Sequence, residues 1–341
     1  MKRKLSIILA AVMILGLLAG CGGSTESAAP ESAAPDSEPI TTANGLTKAP
    51  DGFPSKDFVL YTDSDPGTET YNILSEFIKY VEKYAEVGVT IEAYEGSSGV
   101  LALNELMKSE PDGYSLLHQS LTLPLTIGFQ TAPYTADQIQ PVAGLFGDSL
   151  VVSVLPDSEF QSIEDIVNYA KENPGQFNWG GAKTKAAIQV GSALFWQNAG
   201  IDVNYIAYPS GTDALVAVLG GNTMCNASSV SGVYDYYKNG ELKVLAVSSA
   251  ERLDSMPEVP TFEELGYTDM TGYSIYRGTY TVAGVPEEHL KVLEQLHELI
   301  SQDEEWIAYL ESYNKEIDYM GTEEFTEWYN GIVDFTAQLE F

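Results

Sequence analysis

Residues 203–219 read VNYIAYPSGTDALVAVL. Val203 to Ala207 has the β-branched and aromatic character of a strand, Pro209-Ser210-Gly211 breaks it, and 212–219 continues as an apolar run of helical length. One strand–turn–helix unit decides little; its recurrence along the chain decides the fold class. Upstream, Phe58-Val59-Leu60-Tyr61 reads as a strand, and a Gly-bearing turn leads into 70–84 (TYNILSEFIKYVEKY), where Ile73, Leu74, Phe77, Ile78 and Val81 recur at helical spacing. Val89 to Ala93 is the next strand, Gly96-Ser97-Ser98-Gly99 opens a helix over 100–108, and Pro111-Asp112-Gly113 turns the chain into Tyr114 to Leu117. The pattern restarts at Leu150 to Leu155. Ser162 with Asp165 caps a helix that Asn173-Pro174-Gly175 ends, and Phe177-Asn178-Trp179 leads to Gly180-Gly181 and a helix through Trp196. Leu242 to Val247 is a further strand, and Thr261 with Glu264 has the form of a capping box. Such units imply parallel, helix-covered sheets. Two sets of them leave a crevice at the carboxyl ends of their strands, where ligands of open α/β sheets bind.

The whole chain has 341 residues, a length suited to about two domains of roughly 150 residues each. Its 17 Lys+Arg against 49 Asp+Glu give a formal charge of −32. That balance argues against nucleic-acid binding, which needs a basic surface, and against electrostatic attachment to anionic lipid. With 44% apolar and 19% charged residues, most of the chain has the composition of a folded protein.

Residues 1–21, MKRKLSIILAAVMILGLLAGC, open with Lys2, Arg3 and Lys4 and continue with an apolar run from Leu5 to Leu18. This is the layout of an export signal, too short and wrongly flanked for a membrane span. The tail Leu18-Ala19-Gly20-Cys21 resembles a bacterial lipobox, which implies a signal peptide over 1–20 and lipidation of Cys21. Cleavage there leaves 14 basic against 49 acidic residues, or −35. The other cysteine, Cys225, then has no partner for a disulfide and is expected to be a small buried hydrophobe. Residues 22–50 contain few apolar groups, several Pro and the near-repeat SAAPES/SAAPDS, so residues 21–54 are expected to form the lipidated cysteine and a flexible linker.

Catalytic chemistry finds little support. The three histidines are His118, His289 and His297; the last two fall on a predicted helix over 286–301, near its solvated side, with no metal-ligand spacing around them. The sequence has no Gly-x-Ser-x-Gly elbow, Walker A loop or dinucleotide-binding glycine pattern. Asp63 to Leu74 has acids like a calcium loop, but Thr68 stands where the sharp-turn Gly belongs and Leu74 where the bidentate Glu belongs. A non-enzyme with neither cofactor nor metal is expected.

The ordered motifs over 55–341 resemble the solute-binding proteins of tripartite tricarboxylate transporters, the Bug/TctC family. Glu110 to Leu117 (EPDGYSLL) is similar to the family's PDGYTLL, and Tyr208-Pro209-Ser210-Gly211 through Leu219-Gly220-Gly221-Asn222 to its YKGSAPALTDLLGGQ. Gly240 to Arg252 (GELKVLAVSSAER) resembles GKLRALAVTSAKR and runs into Pro257-Glu258-Val259-Pro260-Thr261, similar to PDVPT. Tyr276-Arg277-Gly278 and Ala283-Gly284-Val285-Pro286 sit where the family has its aromatic-x-Gly and APAGTP stretches.

The resemblance implies an α/β, two-lobed, periplasmic-binding-protein-like clamp of type II. Its lobes, 55–147 plus 278–341 and 148–277, would be joined by crossings near 143–149 and 272–282. It further implies a small organic acid held between the lobes, membrane subunits of a transporter as partners, and a monomer anchored outside the cytoplasmic membrane by lipid alone. A ligand-presenting sensor acting with a membrane receptor is the alternative. The binding residues it implies are Ser64, Asp65, Pro66, Gly67 and Thr68 in the first loop; Gly181, Lys183, Lys185 and Ala186 in the second; and Ser120, Tyr208, Gly211, Ser228 and Arg277 elsewhere. Both loops depart from the family's PFPPGG and GSAGNGSTSH. The first gains Asp63 and Asp65, with Glu69 behind; the second gains two lysines, Ala186 and Ala187 in place of hydroxyls, and Gln189 in place of His. A helix N-terminus with lysines beside it is an anion seat, and the planar fork of Arg277 suits a carboxylate. Acids opposite these cations imply a carboxylate that bears, or is accompanied by, positive charge.

Overall fold

Residues 39–339 are described by the computed structural model; the expected export signal, Cys21 and the part of the expected linker up to residue 38 lie outside them. The first sheet holds β1 (Phe58–Thr62), β2 (Val89–Ala93), β3 (Ser115–Ser120) and β4 (Ile139–Phe146); the second holds β5 (Leu150–Val154), β6 (Asn178–Ala182), β7 (Asn204–Tyr208), β8 (Cys225–Ser229) and β9 (Lys243–Val247). The last strand, β10 (Arg277–Val282), returns to the first sheet, giving the orders β2-β1-β3-β10-β4 and β7-β6-β8-β5-β9.

The sheets are mixed rather than parallel, which corrects the expectation from the strand–helix repeats. β10 runs antiparallel to β3 and β4, and β5 antiparallel to β8 and β9. Topology supplies the reason. β5 and β10 each begin where the chain crosses from the other lobe, at the edge where the parallel strands end, so they run against them. Both crossings thus join the carboxyl ends of the two sheets and place a cleft there. Gly147–Ser149 and Ser274–Ile275 lie side by side at the crossing, with the Asp148 amide donating to Ser274 Oγ at 2.8 Å and Ile275 N to the Asp148 carbonyl at 3.1 Å. A third segment pairs with them through Gly147 and Glu316.

Helices cover both faces of each sheet. On the first, α1 (Glu69–Ala85), α8 (Glu287–Ser301) and α9 (Glu304–Glu311) enclose Phe77, Leu293, Leu296 and Trp306 on one side. Opposite, α2 (Val100–Leu106), α3 (Thr122–Gly128) and α10 (Thr322–Thr336) enclose Leu103, Leu117, Tyr280 and Phe325. On the second sheet, α4 (Ile163–Glu172) and α5 (Ala187–Ala199) pack over Trp179 and Phe195, and α6 (Gly211–Leu219) and α7 (Val230–Lys238) over Val151 and Leu215. The caps form as the residues dictate: Thr68 Oγ1 accepts from Tyr71 N at 3.3 Å to start α1, and Ser162 and Asp165 complete the capping box of α4. The Thr261–Glu264 box also closes, but it heads a turn over 262–266 rather than a helix. Gly180 and Gly181 belong to β6, and the helix expected after them starts six residues later at Ala187. No helix among the described residues is long and apolar enough to cross a membrane.

Two further expectations fail. The linker expected through residue 54 is packed from about residue 40 onward, because Leu46, Ala49 and Phe53 bury against the first lobe. Thr42 Oγ1 donates to the Tyr84 carbonyl at 2.9 Å, and Thr47 N to Gln295 Oε1 at 3.0 Å. The histidines of α8 are not solvated. His289 stacks on Phe53 with ring centroids 4.0 Å apart, and its ring nitrogens lie 2.8 Å from the Asp112 carbonyl oxygen and 2.8 Å from Asp51 Oδ2. His297 is fully buried, its Nδ1 donating to the Leu293 carbonyl at 2.7 Å. The N-terminal arm covers His289 through Phe53, and His297 packs against Phe77 of α1. Cys225 is a free, buried thiol in β8.

Candidate functional site

A cavity of about 560 Å³ opens between the carboxyl ends of the two sheets. The first lobe contributes Asp63 after β1, Ser97 and Ser98 after β2, and Thr122, Thr126, Phe129 and Thr131 on and after α3; the second contributes Lys183 to Ala186 between β6 and α5.

The second-lobe wall is cationic. Ala186 is the N-cap residue of α5 and offers no capping side chain, so the first-turn amides keep their polarity toward an anion. Lys183 and Lys185 flank this helix start. Lys185 takes φ +59°, in the left-handed region, with its amide donating to Gln189 Oε1 at 2.6 Å. Its Nζ lies 5.2 Å from the ring centroid of Phe129 across the cleft.

The first-lobe wall is acidic and rich in hydroxyls. Gly96, Ser97, Ser98 and Gly99 all have positive φ, at 123°, 49°, 54° and 81°. This left-handed run turns the chain sharply and sets the two serines on the cavity wall. Gly99 has no room for a side chain, since a Cβ there would come within 1.8 Å of Gln119 Nε2, the amide that hydrogen-bonds Asp63. Gly99→Ala is therefore expected to destabilise the protein by about 1–3 kcal/mol and to loosen Asp63. A thermal midpoint equal to that of the unmodified protein would contradict this close packing.

Burial raises the pKa of Asp63, while Arg277 and the Gln119 hydrogen bond oppose the rise. Arg277 begins β10, paired in register with Ser120 of β3 and Phe146 of β4. Burial lowers its pKa, and the fields of Asp63, Asp148 and Glu69 act the other way. Among the described residues its guanidinium makes no hydrogen bond or ion pair. At the rim, the carboxyl of Asp65 raises the pKa of Glu95 through a shared hydrogen bond, and Lys183 lowers it from across the cleft.

Of the residues singled out from the sequence, Lys183, Lys185 and Ala186 line the cavity together with Asp63. Ser64, Asp65, Pro66, Gly67 and Thr68 form the adjoining loop without lining it, and Thr68 is engaged as the cap of α1. Ser120 is buried and hydrogen-bonds Thr122 Oγ1 at 2.9 Å, behind the wall. Gly181 is a packing glycine, not a wall residue: a Cβ there would lie 2.5 Å from Tyr205 Oη. Tyr208 ends the edge strand β7, Gly211 opens α6 and Ser228 is buried beside Gly232; none of them lines the cavity. Glu69, expected to face the ligand, instead pairs with Lys315 at 2.6 Å. The reading from sequence missed Ser97, Ser98 and the α3 residues. The glycines bracketing Ser97-Ser98 were a signal for the former, and for the latter Thr122 and Thr126, four residues apart in 121–128 (LTLPLTIG), share one helical face. No group of three or more metal-ligating side chains occurs among the described residues.

A family model described as the tripartite tricarboxylate transporter family receptor matches residues 79–328. Protein BugT of Bordetella pertussis is 26% identical over 223 residues, 64% of this chain and 68% of that protein. Among solved structures, a ligand-free TctC solute-binding protein from Polaromonas superposes with a TM-score of 0.75 at 23% identity, covering 84% of this chain and 98% of its own. MatC from Rhodopseudomonas palustris with bound malate gives a TM-score of 0.66 at 17% identity, covering 84% and 99%.

Proposed function

Because the chain belongs to the tripartite tricarboxylate transporter receptor family, we propose that it captures a small carboxylate-bearing solute between its lobes and passes it to the membrane subunits of a transporter. The observation that carries this reading is the charge of the cleft. Lys183, Lys185 and the uncapped start of α5 face Asp63 across the cavity, and Arg277 lies beyond it with no ion pair of its own among the described residues. Asp63 is already offset by Arg277 and Gln119, so the surplus on the walls is positive and matches an anion. The malate held by MatC, a protein of the same fold, is of this chemical class.

The rim acids Asp65 and Glu95 shape the other end of the ligand. A carboxylate seated on the lysines and carrying a hydroxyl, ammonium or metal-chelated tail avoids like charges there; a bare tricarboxylate does not. Calorimetry with malate, citrate, magnesium citrate and amino acids tests the assignment, alongside mass spectrometry of whatever co-purifies. Tight binding of metal-free citrate that is insensitive to Asp65→Asn would remove the charge argument. A co-purified ligand without a carboxylate would remove the reading itself.

In the same proposal the receptor stands outside the cytoplasmic membrane, held by lipid on Cys21, and works as a monomer without catalysis. Cys21→Ala is expected to move the protein from the membrane fraction to the medium. A variant that stays membrane-bound would favour a retained N-terminal helix instead.

A further inference from the structure

The lysines and the start of α5 account for one charged end of a ligand, and much of the remaining wall is neutral and hydroxylated. Six residues that line the cavity carry hydroxyls: Ser97, Ser98, Thr122, Thr126 and Thr131 on the first lobe and Thr184 on the second. Their hydrogen-bonding capacity is divided. Thr126 Oγ1 donates to the Ser98 carbonyl at 3.4 Å and Thr131 Oγ1 to the Thr126 carbonyl at 3.1 Å, so both keep lone pairs to offer. Thr122 Oγ1 accepts from Ser120 Oγ at 2.9 Å and keeps its own proton to donate. The hydroxyls of Ser97 and Ser98 make no hydrogen bond among the described residues, so each can donate and accept.

The backbone points to a role for the two serine side chains. Ser97 and Ser98 take φ +49° and +54°, in the left-handed region, where glycine is relaxed and a residue with a side chain is strained. The same turn uses glycine on either side of them, at Gly96 and Gly99. A ligand hydroxyl both donates and accepts, which matches a wall that mixes the two; a second carboxylate only accepts and an ammonium only donates. Asp63, the acid of this wall, repels a second carboxylate but accepts from a hydroxyl. We propose that the solute is a polyhydroxylated carboxylic acid, a sugar acid in its chemistry, and that Ser97 and Ser98 select it over acids of the same size without hydroxyls. This rests on the reading of the cleft as a carboxylate site and narrows it.

Calorimetry with the full chain compares gluconate with hexanoate, which shares its carbon skeleton and carboxylate but has no hydroxyls, and with sorbitol, which has the hydroxyls and no carboxylate. Gluconate is expected to bind about tenfold or more tighter than hexanoate, because the hydroxyl wall loses its partners when hexanoate enters. Sorbitol is expected not to bind. In the double variant Ser97→Gly, Ser98→Gly the preference for gluconate should fall to about threefold or less, while hexanoate binding moves by less than about twofold. Glycine suits both backbone positions, so the thermal midpoint of this variant should not fall. A merely structural role for the serines would weaken both acids alike. Should the variant fail to fold, Thr122→Val removes a donor of the same wall and should lower the preference in the same selective way. Equal affinity for the two acids, or a preference that survives in the folded variant, overturns the proposal and leaves the carboxylate reading standing; so does binding of malate or citrate without gluconate. Sorbitol binding as tightly as gluconate overturns the carboxylate reading and leaves the hydroxyl wall in place. Binding of none of these compounds overturns both.

Discussion

Arg277→Ala is expected to weaken binding of the carboxylate ligand by about 2–5 kcal/mol, or about 30-fold to several thousand-fold. The size follows from desolvation. A charge-assisted, bidentate contact made out of water is worth far more than one at the surface, and burial already lowers the Arg277 pKa. The ligand-free protein should respond differently. Because the guanidinium is only partly buried and makes no hydrogen bond or ion pair among the described residues, its removal is expected to leave the thermal midpoint about unchanged. Calorimetry and thermal unfolding of the same variant check both halves. Wild-type affinity in the Ala variant would show that Arg277 does not touch the ligand, and a large loss of midpoint would make it a structural ion.

Acidification from pH 7 to pH 5 is expected to remove about 4 kcal/mol of stability through His118 and His297. Both are fully buried or nearly so, and burial lowers their pKa from 6.5 to about 3 and about 4, with Arg277 adding to the shift at His118. The unfolded chain binds a proton at each below about pH 6.5, while the folded chain does so only near pH 4 or lower. Over that window the unfolded state holds more protons, so stability falls as the pH falls. The limiting slope is about 1.4 kcal/mol per pH unit for each ring. His118 has neither ring nitrogen hydrogen-bonded among the described residues, and His297 lacks a partner at Nε2, so neither site offers an acceptor for the added proton. Urea unfolding at the two pH values measures the loss. His297→Leu serves as the internal control and should reduce the pH dependence by about half. An undiminished dependence in that variant would assign the acid sensitivity to other groups.

The acidic loop shows how far residue chemistry alone reached. Asp63, Asp65 and Glu69 looked like one repulsive wall because they are neighbours in sequence. Folding sends them to three different settings: Asp63 to a hydrogen bond with Gln119 in the field of Arg277, Asp65 to Glu95 at the rim, and Glu69 to Lys315. On the cationic side the sequence was sufficient, since Lys183 and Lys185 stand within one turn of a helix start and a loop of that length keeps them there. Gly181 shows the converse. It lies two residues from Lys183, yet strand alternation buries it against Tyr205, and no reading of the loop by itself shows which way the strand faces.

By itself the sequence determined the short-range features: the strand–helix units, the cap of α4 at Ser162, and the lysines at 183 and 185 shortly before a helix. These depend on contacts within a few residues, where the propensity and hydrogen-bonding chemistry of the local chain decide the outcome. The tertiary structure alone decided which strands run antiparallel, that residues 40–54 pack through Phe53 and His289, and that His297 is buried. Each of these outcomes sets together groups far apart in the chain, such as Phe53 with His289, 236 residues apart. Burial and charge pairing depend on distance in space, which only the closed chain fixes.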